Sequence, residues 1–285
     1  MTEHTLIALV DGSAYSESVC YYAAWAAKRL NAKVKVYHVM GPREGSDSQD
    51  LSGAIRLGAR SRLLKELSEL DEKRGKLSQE QGRAILEDAQ GIISPNGEVD
   101  VETRLRQGDL LDTILSKEEN ADLILIGKRG ETRGSLDGHL GSNFEQIVRG
   151  SHKPILVANH AFKTIKNILV AFNGGTASLK AVDYIAQSPL FSGLEVSLVY
   201  AGKETPKIEK SMQEASEKLA AVNMVAKTVI KDGTPETILS QMTKNHDNQI
   251  LVMGGYGHSW LRTLLTGSTT THTIQSCKVP IFIIN

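Results

Sequence analysis

The residues with the clearest potential for chemistry lie near the C-terminus, in the stretch GGYGHSWLRTLLTGS, residues 254–268. Glycines stand at its first, fourth and fourteenth positions, and the hydroxyl side chains of Ser268 and Thr269 follow the last of them. Glycine lets a backbone approach a ligand closely, and the free amides at a helix N-terminus attract an anion. A hydroxyl there caps the helix or donates to a phosphate oxygen. The spacing predicts a phosphate-binding loop, while the same glycines are also compatible with ordinary turns.

The chain repeats itself, and each copy has a polar turn after its first strand. TLIALVDGSAYSES near the N-terminus matches NILVAFNGGTASLK from Asn167, which places Asp11 opposite Asn173. Three further pairs follow in the same order: RLRQGDLLDTIL with TVIKDGTPETIL, ADLILIGKRG with NQILVMGGYG, and SHKPILVAN with CKVPIFIIN. Ordered matches of this kind indicate an internal duplication. We predict two domains, residues 1–161 and 162–285.

The first copy is longer than the second by about 37 residues, inserted before Gly108. The additional residues belong to a segment at about 45–95 that is rich in helix formers, with apolar residues at helical spacing. We interpret this segment as a long helical crossover with a solvated face. The alternative is an arm that binds a partner protein.

Short strands rich in Val, Ile and Leu alternate with helices in both copies. The predicted strands are residues 6–10, 34–39, 99–105, 123–126, 155–158, 168–172, 195–200, 222–230, 250–253 and 281–284. Such alternation is typical of a parallel sheet covered on both faces. The predicted fold class is therefore α/β, with two tandem five-stranded parallel-sheet domains. Ligands of such sheets bind beyond the carboxyl ends of the strands, where the Asp11 turn and the Gly127 loop both fall.

Composition excludes several classes of protein. The 285 residues include 33 basic and 33 acidic side chains, so no global field directs the chain to nucleic acid or to a membrane. The two cysteines lie far apart and indicate a reducing compartment rather than a disulfide framework. The N-terminus does not read as a signal peptide, and no run of about 20 apolar residues occurs. We expect a cytoplasmic protein.

Other nucleotide-binding patterns are absent from the sequence. No G-x-x-x-x-G-K-[ST] run occurs, which excludes a P-loop, and no G-x-G-x-x-G follows the first strand of either copy. A third pattern, the S-G-G-x-D-S pyrophosphate motif expected of an adenylate-forming enzyme, is also missing from both first turns. The glycine pattern near the C-terminus therefore belongs to none of these three motifs.

That pattern, G-x2-G-x9-G-[ST] before a terminal strand, resembles the nucleotide-binding signature of the universal stress proteins. The second copy has the family's spacing, and the first has ten residues between its second and third glycines. Asp11 matches the family's acidic residue after the first strand. The resemblance covers essentially the whole chain, twice, so the chain is identified as similar to tandem universal stress proteins.

The resemblance implies a Rossmann-like fold, of the adenine-nucleotide α-hydrolase type, that binds ATP or a related adenine nucleotide. Asp11 would contact the adenine or ribose, and Val39 would contact adenine through its backbone. The nucleotide-binding residues implied in the first copy are Asp11, Gly12, Ser13, Val39, Gly127, Gly130, Gly141 and Ser142. Those implied in the second copy are Asn173, Gly254, Gly257, Gly267, Ser268 and Thr269.

Neither copy matches the family pattern completely. Asn173 replaces the acidic residue in the second copy and lacks its charge. The longer loop of the first copy contains Arg129, Glu131 and Arg133, whose arginines either pair with phosphate or are simply solvated. We expect one nucleotide site, or two unequal ones.

No catalytic constellation is visible in the sequence. The eight histidines show no metal-ligand spacing, and no cysteine pair forms a zinc site. His38 is expected to be structural, while His258 and His272 flank the glycine loop. Asp11 would either hold Mg²⁺ through water beside the phosphates of ATP or simply cap the first helix. Enzymatic activity would be at most slow ATP hydrolysis.

Two functions of different classes follow. The first is a stress-associated regulatory protein in which ATP shifts the population between two conformations. The second is an ATP-independent module that binds protein partners, with degenerate nucleotide pockets.

The resemblance also implies pairing between the terminal strands of the two domains, here PILVA with PIFII inside one chain. A further homodimer of the tandem chain is possible in addition.

Overall fold

The computed structural model describes residues 4–41, 57–130, 142–244, 248–254 and 277–285. In the described part of the first half, strands alternate with helices. The elements are β1 (His4–Leu9), α1 (Ser16–Leu30), β2 (Ala32–Met40), α2 (Leu57–Ile93), β3 (Val101–Gln107), α3 (Leu110–Leu115), a 3₁₀ turn (Glu118–Asn120), β4 (Leu123–Gly127), α4 (Ser142–Gly150) and β5 (Ile155–Ala158).

The described part of the second half follows the same order of strands, with a shorter second helix. Its elements are β6 (Asn167–Ala171), α5 (Thr176–Gln187), a 3₁₀ turn (Pro189–Phe191), β7 (Glu195–Ala201), α6 (Pro206–Ala220), β8 (Ala226–Lys231), α7 (Pro235–Lys244), β9 (Gln249–Gly254) and β10 (Ile281–Ile284). The strand predicted over 222–230 begins only at Ala226, so its first four residues were assigned wrongly. Asn223 adopts a left-handed conformation with φ of 62°, and the amide of Met224 returns to the carbonyl of Leu219. This capping turn ends α6 where the apolar pattern alone indicated a strand.

The ten strands form one continuous sheet in the order β3-β2-β1-β4-β5-β10-β9-β6-β7-β8. Pairing within each half is parallel, as predicted, and the two halves join through an antiparallel pair between β5 and β10. In that pair Phe282 lies opposite Leu156. The predicted joining of PILVA to PIFII inside one chain is therefore confirmed. The division at residues 161 and 162 stays a prediction.

Aromatic side chains of the second half pack together around β10, the strand that pairs with the first half. Phe282 of β10 contacts the rings of Phe191 and Tyr184, with ring centroids 5.1 and 5.5 Å away. Phe191 and Phe282 are fully buried, and burial of rings of this size dominates the energetics of an interface. On the same side, Arg29 of α1 donates to the backbone carbonyls of Leu190 and Ser192. The first half is thus fixed to the second by hydrogen bonds from Arg29, and buried apolar residues of both halves belong to one core cluster.

The long helix α2 confirms the predicted helical crossover, although residues 42–56 of the segment lie outside the described residues. A methyl group added at Gly82 would lie 2.6 Å from Cδ1 of Leu105, and one added at Gly12 would lie 2.8 Å from Cδ1 of Ile85. The C-terminal part of α2 therefore packs directly on β3 and on the Asp11 turn. Its preceding turns, residues 65–81, are almost entirely exposed.

Both cysteines are buried and free. None of the helices within the described ranges combines the length and apolar character needed to cross a membrane.

Candidate functional site

The turn after β1 holds the Asp11 carboxylate in a defined orientation. Its Oδ1 accepts hydrogen bonds from the amide of Ser13 and the hydroxyl of Ser16, both at 3.0 Å. The Ser16 hydroxyl oxygen also accepts from the amides of Asp11 and Gly12, at 3.0 and 3.1 Å. Gly12 has a φ of 81°, a left-handed conformation that glycine adopts without strain. The local sequence DGSAYS therefore builds a rigid turn that presents a half-buried acid at the end of the sheet.

The loop after β4 folds closely over this turn. A methyl group at Gly127 would lie 2.7 Å from Cβ of Tyr15, and one at Gly130 would lie 2.7 Å from Oδ2 of Asp11. Both positions accept only glycine without a shift of their neighbours. Sequence reasoning assigned these glycines to contact with a ligand, but the structure shows that each also makes room for a side chain of the first turn.

A cleft opens where these two loops meet the ends of β1, β2 and β4. It holds about 600 Å³ of space between its walls, part of it open to solvent. The predicted residues that line it are Asp11, Ser13, Val39, Gly127 and Gly130. Gly12 does not line the cleft, because it faces Ile85 of α2. Ser142 begins α4, and Gly141 lies outside the described residues.

Several lining residues were not among the nucleotide-binding residues assigned from the sequence. They are Leu9, Val10, Tyr15, Ser16, Val19, Tyr37, Leu110, Ile126, Arg129, Asn143 and Phe144. Most belong to apolar strand ends or helix starts whose pattern indicates only burial, so no local signal separates them from core residues. Arg129 was noted in the sequence, with solvation as the commoner interpretation. It is half-buried in the wall of the cleft.

Lys128, between the two cleft-lining residues Gly127 and Arg129, faces away from the cleft. Its side chain is 5% exposed, and its Nζ donates to the backbone carbonyl of Cys277 in the second half. Burial is the main cause that lowers the pKa of Lys128 to about 8; Cys277 opposes this shift and the nearby Arg129 adds to it. The wall of the first-half cleft is thus linked to the other half by a buried ammonium group.

The second half builds the same first turn with an amide. Oδ1 of Asn173 accepts from the amide of Gly175 and from the hydroxyl of Ser178, both at 2.9 Å, just as Oδ1 of Asp11 accepts from Ser13 and Ser16. A methyl group at Gly254 would overlap the backbone carbonyl of Ala177, so this glycine repeats the packing role of Gly127. Asn173 is exposed, whereas Asp11 is half-buried.

The rest of the second predicted site cannot be placed. Gly257, Gly267, Ser268 and Thr269 lie outside the described residues, as do His258 and His272. Glu131 and Arg133 of the first loop lie outside them as well. For these positions the sequence-based assignments stay predictions.

His38 has the structural role that the sequence predicted. Its Nδ1 lies 2.9 Å from the carbonyl oxygen of Val10, and its ring packs against Gly82 of α2.

Within the ranges that the structure covers, no three histidine, cysteine, aspartate or glutamate side chains are grouped to hold a metal ion.

Comparison with known proteins adds an independent line of evidence. The family model described as "Universal stress protein family" matches residues 3–159 and again 164–285. The chain belongs to the universal stress protein family. A universal stress protein of Synechocystis sp. is 31% identical over 280 residues, which cover 97% of this chain and 98% of that protein.

A solved structure of a universal stress protein shares the fold over nearly the whole chain. That structure, from Archaeoglobus fulgidus, superposes with a TM-score of 0.67 at 20% identity, over 98% of this chain and 95% of its own. Another universal stress protein, solved in complex with cAMP, covers 43% of this chain and 98% of its own length, with 22% identity and a TM-score of 0.36. The predicted family and the predicted tandem α/β fold are confirmed.

Proposed function

We propose that this universal stress protein is a regulatory protein of the stress response that binds ATP or a related adenine nucleotide in its first-half cleft. The observation that carries the proposal is the convergence of Asp11, Val39 and the Gly127–Gly130 loop on one cleft at the carboxyl ends of parallel strands. Ligands of open α/β sheets bind at this edge. The cytoplasmic location and the absence of nucleic-acid partners stay predictions.

The apolar part of the cleft suits a purine. Leu9, Tyr37, Val39 and Leu110 line it, and ligand pockets typically combine such apolar walls with a few placed polar groups. The placed polar group here is the Asp11 carboxylate, which only accepts hydrogen bonds when ionised. The exocyclic amine of adenine and the hydroxyls of ribose are donors, so the acid provides orientation and selectivity.

The phosphates are expected towards the start of α4. This helix has nine residues, begins at Ser142, and places Asn143 in the lining of the cleft. Backbone amides at a helix N-terminus favour a negatively charged group. Mg²⁺ bound to ATP would be held by the phosphates and, through water, by Asp11, since this cation commonly uses one carboxylate together with substrate oxygens.

The two halves are expected to bind nucleotide unequally. Oδ1 is used by the turn in both Asp11 and Asn173, so the halves differ in the second atom of the side chain. That atom is an acceptor in Asp11 and the donor Nδ2 in Asn173. Because the amide Nδ2 cannot accept from the exocyclic amine of adenine and has no negative charge, we assign the primary site to the first half.

The alternative function is protein binding that does not depend on nucleotide. The observation that favours it is the exposed part of α2, on which Leu67, Leu70 and Leu77 are 41%, 53% and 64% exposed. Under this alternative the first-half cleft would be a degenerate pocket. Pull-down of partners at equal yield with and without ATP, from protein that binds no nucleotide, would support it over the proposal.

The substitution Asp11→Asn tests the proposal sharply, because the second half shows that asparagine makes the same turn. Folding should be retained, while loss of hydrogen bonds to a charged group, worth about 1.5–3 kcal/mol, should weaken ATP binding at least about tenfold. Isothermal titration with ATP and Mg²⁺ measures this, and nucleotide released on denaturing the purified protein identifies the natural ligand. Asn173→Ala is the matched control and should leave the main affinity unchanged.

Thermal unfolding gives an independent measurement. ATP at about 100 times its Kd should stabilise the wild type by about 2.7 kcal/mol, and Asp11→Asn, with binding about tenfold weaker, should lose about half of that gain or more at the same ATP concentration. Absence of any shift at millimolar ATP, together with no released nucleotide, would refute nucleotide binding. An unchanged shift in Asp11→Asn but a lost shift in Asn173→Ala would move the site to the second half.

A further inference from the structure

Lys128 has a buried charge that the proposed binding of nucleotide does not use. The residue is 5% exposed, and within the described ranges its ammonium has a backbone carbonyl, that of Cys277, as its partner rather than a carboxylate. Burying an ammonium group without an opposite charge is costly, and an apolar side chain of similar length would avoid this cost. Stability therefore does not explain the lysine at this position.

The alternation of side chains along β4 directs Lys128 towards the second half. Successive residues of a strand point to opposite faces of the sheet, and Ile124 and Ile126 belong to the core cluster that also contains Cys277. Lys128 follows two residues after Ile126 and extends this pattern, since its amide still donates to the carbonyl of Ala158 at the end of β5, at 3.2 Å. The side chain is thus placed on the face where Cys277 lies.

The residues on either side of Lys128 belong to the wall of the first-half cleft. Gly127 and Arg129 line the cleft, whereas Lys128 does not. On the other side, Cys277 packs against α7 of the second half, with its Sγ 3.6 Å from Oγ1 of the buried Thr243. Three consecutive residues therefore contact both the cleft and the interior of the second half.

Two other polar contacts cross the seam between the halves, where β5 pairs with β10, but lie away from the cleft. Asn159, after β5, donates to the carbonyl of Lys278 at 2.7 Å. Asn285, after β10, donates to the carbonyls of Ser151 and Lys153 at 2.8 and 3.1 Å. The two asparagines occupy equivalent positions of the repeat, and neither lines the cleft. These contacts join the halves without connecting either asparagine to the ligand.

The bond from Lys128 has no equivalent in the repeat. The residue that aligns with Lys128 in the second half is Gly255, which has no side chain and cannot make a matching bond to the first half. The link between a cleft wall and the opposite half is therefore specific to the first-half cleft.

We propose that Lys128 couples the first-half cleft to the second half, so that a nucleotide bound in the cleft strengthens the contact between Lys128 and Cys277. The inference rests on the proposed function and adds to it a route by which binding in one half changes the other. A ligand that contacts Gly127 and Arg129 restricts the loop that carries Lys128, and this lowers the entropic cost of fixing the Lys128 side chain. Coupling between binding equilibria is reciprocal, so loss of the Lys128 bond should in turn weaken binding of the ligand.

Titration of ATP with Mg²⁺ into the full chain tests the reciprocal effect. Lys128→Met removes the donor and keeps an unbranched side chain, and it should weaken ATP binding about fivefold or more, as expected for typical coupling between two sites. Asn285→Ala is the matched control, because it removes hydrogen bonds across the same seam but away from the cleft, and it should leave ATP affinity unchanged. Urea unfolding at pH 7 should show Lys128→Met to be no less stable than wild type, so a damaged fold would not account for weaker binding.

Hydrogen exchange of backbone amides, followed by mass spectrometry, tests the transmission directly. In wild type, saturating ATP should slow exchange in residues 277–285 as well as in the Asp11 turn. In Lys128→Met, with ATP raised to the same occupancy, protection of the Asp11 turn should remain and protection of residues 277–285 should be lost. Asn285→Ala should retain both effects of ATP. A merely structural role of Lys128 would instead change exchange in residues 277–285 equally with and without ATP.

The outcomes separate this inference from the proposed function. If ATP binds wild type and protects the Asp11 turn but not residues 277–285, the coupling is wrong while nucleotide binding stands. If Lys128→Met keeps both the affinity of wild type and the protection of residues 277–285, the assignment of the link to Lys128 is wrong. If ATP does not bind wild type, the proposed function fails and this inference fails with it.

Discussion

The buried Lys128 predicts an unusual dependence of stability on pH. The residue is 5% exposed, and its ammonium donates to the carbonyl of Cys277 across the seam. Burial lowers its pKa from 10.5 to about 8. Replacing it by methionine keeps an unbranched side chain in place and removes the charge, so Lys128→Met isolates the cost of keeping an ammonium group between the two halves.

The expected magnitude follows from the difference in pKa between the folded and the unfolded chain. One pKa unit corresponds to about 1.4 kcal/mol, so the charged form costs roughly 3 kcal/mol when the protein folds below pH 8. Between pH 8 and 10.5 the folded chain releases this proton and the unfolded chain keeps it. The free energy of unfolding of wild type should therefore rise with pH in this window, relative to Lys128→Met, by about 2.5 kcal/mol between pH 7 and pH 10.

Urea unfolding of both proteins at pH 7, 8, 9 and 10 measures the difference. Groups that do not interact with Lys128, including the buried Tyr22 and Cys20, cancel in the comparison. Lys227→Met, at an exposed position of β8, is the matched control and should run parallel to wild type. If Lys128→Met also ran parallel to wild type across this range, Lys128 would have an ordinary pKa and the reasoning from burial would be refuted.

Two further predictions concern packing and acid stability. Gly254→Ala should destabilise the protein by about 1–3 kcal/mol in urea unfolding, because the added methyl group would overlap the carbonyl of Ala177. Gly41→Ala is the control and should be nearly neutral, because no atom lies within 4 Å of its added methyl group. Equal effects of the two substitutions would contradict the packing role of Gly254. Burial raises the pKa of Glu118, but hydrogen bonds from Ser151 and His152 outweigh burial and hold the pKa below 4.5. The stabilising contribution of the ionised Glu118 is therefore complete above pH 4.5 and is lost as the pH falls below that value. Thermal melts should show that wild type loses stability relative to Glu118→Gln on acidification. A difference in stability that stays constant with pH would contradict this prediction.

Much of the fold could be predicted because its determinants are local. Runs of Val, Ile and Leu four to six residues long become buried strands wherever helices cover both faces of a sheet, as β4 and β5 show. The error at 222–225 arose because Val222 and Val225 look like strand residues. They are instead 44% and 81% exposed in the turn that Asn223 closes.

The candidate site could be predicted only in part. Asp11 and Gly130 were found through their spacing and family resemblance, and they do meet at one cleft. Tyr15 and Leu110 were missed, because an aromatic or apolar residue at the start of a helix has many uses and its local pattern does not indicate which. Gly12 was included as a ligand-binding residue, but its neighbour is Ile85 of a helix that lies about seventy residues away in the chain.

The amino-acid sequence by itself determined the duplication, the strand and helix order, and the polar turns at Asp11 and Asn173. These depend on periodicity and on hydrogen bonds between residues close in the chain, which any stretch of sequence displays directly. Tertiary structure alone decided the direction of Lys128 towards Cys277, 149 residues away, and the position of Arg129 in the cleft wall. Such contacts form only when the sheet brings distant segments together, so the same lysine and arginine, adjacent in sequence, end in opposite environments.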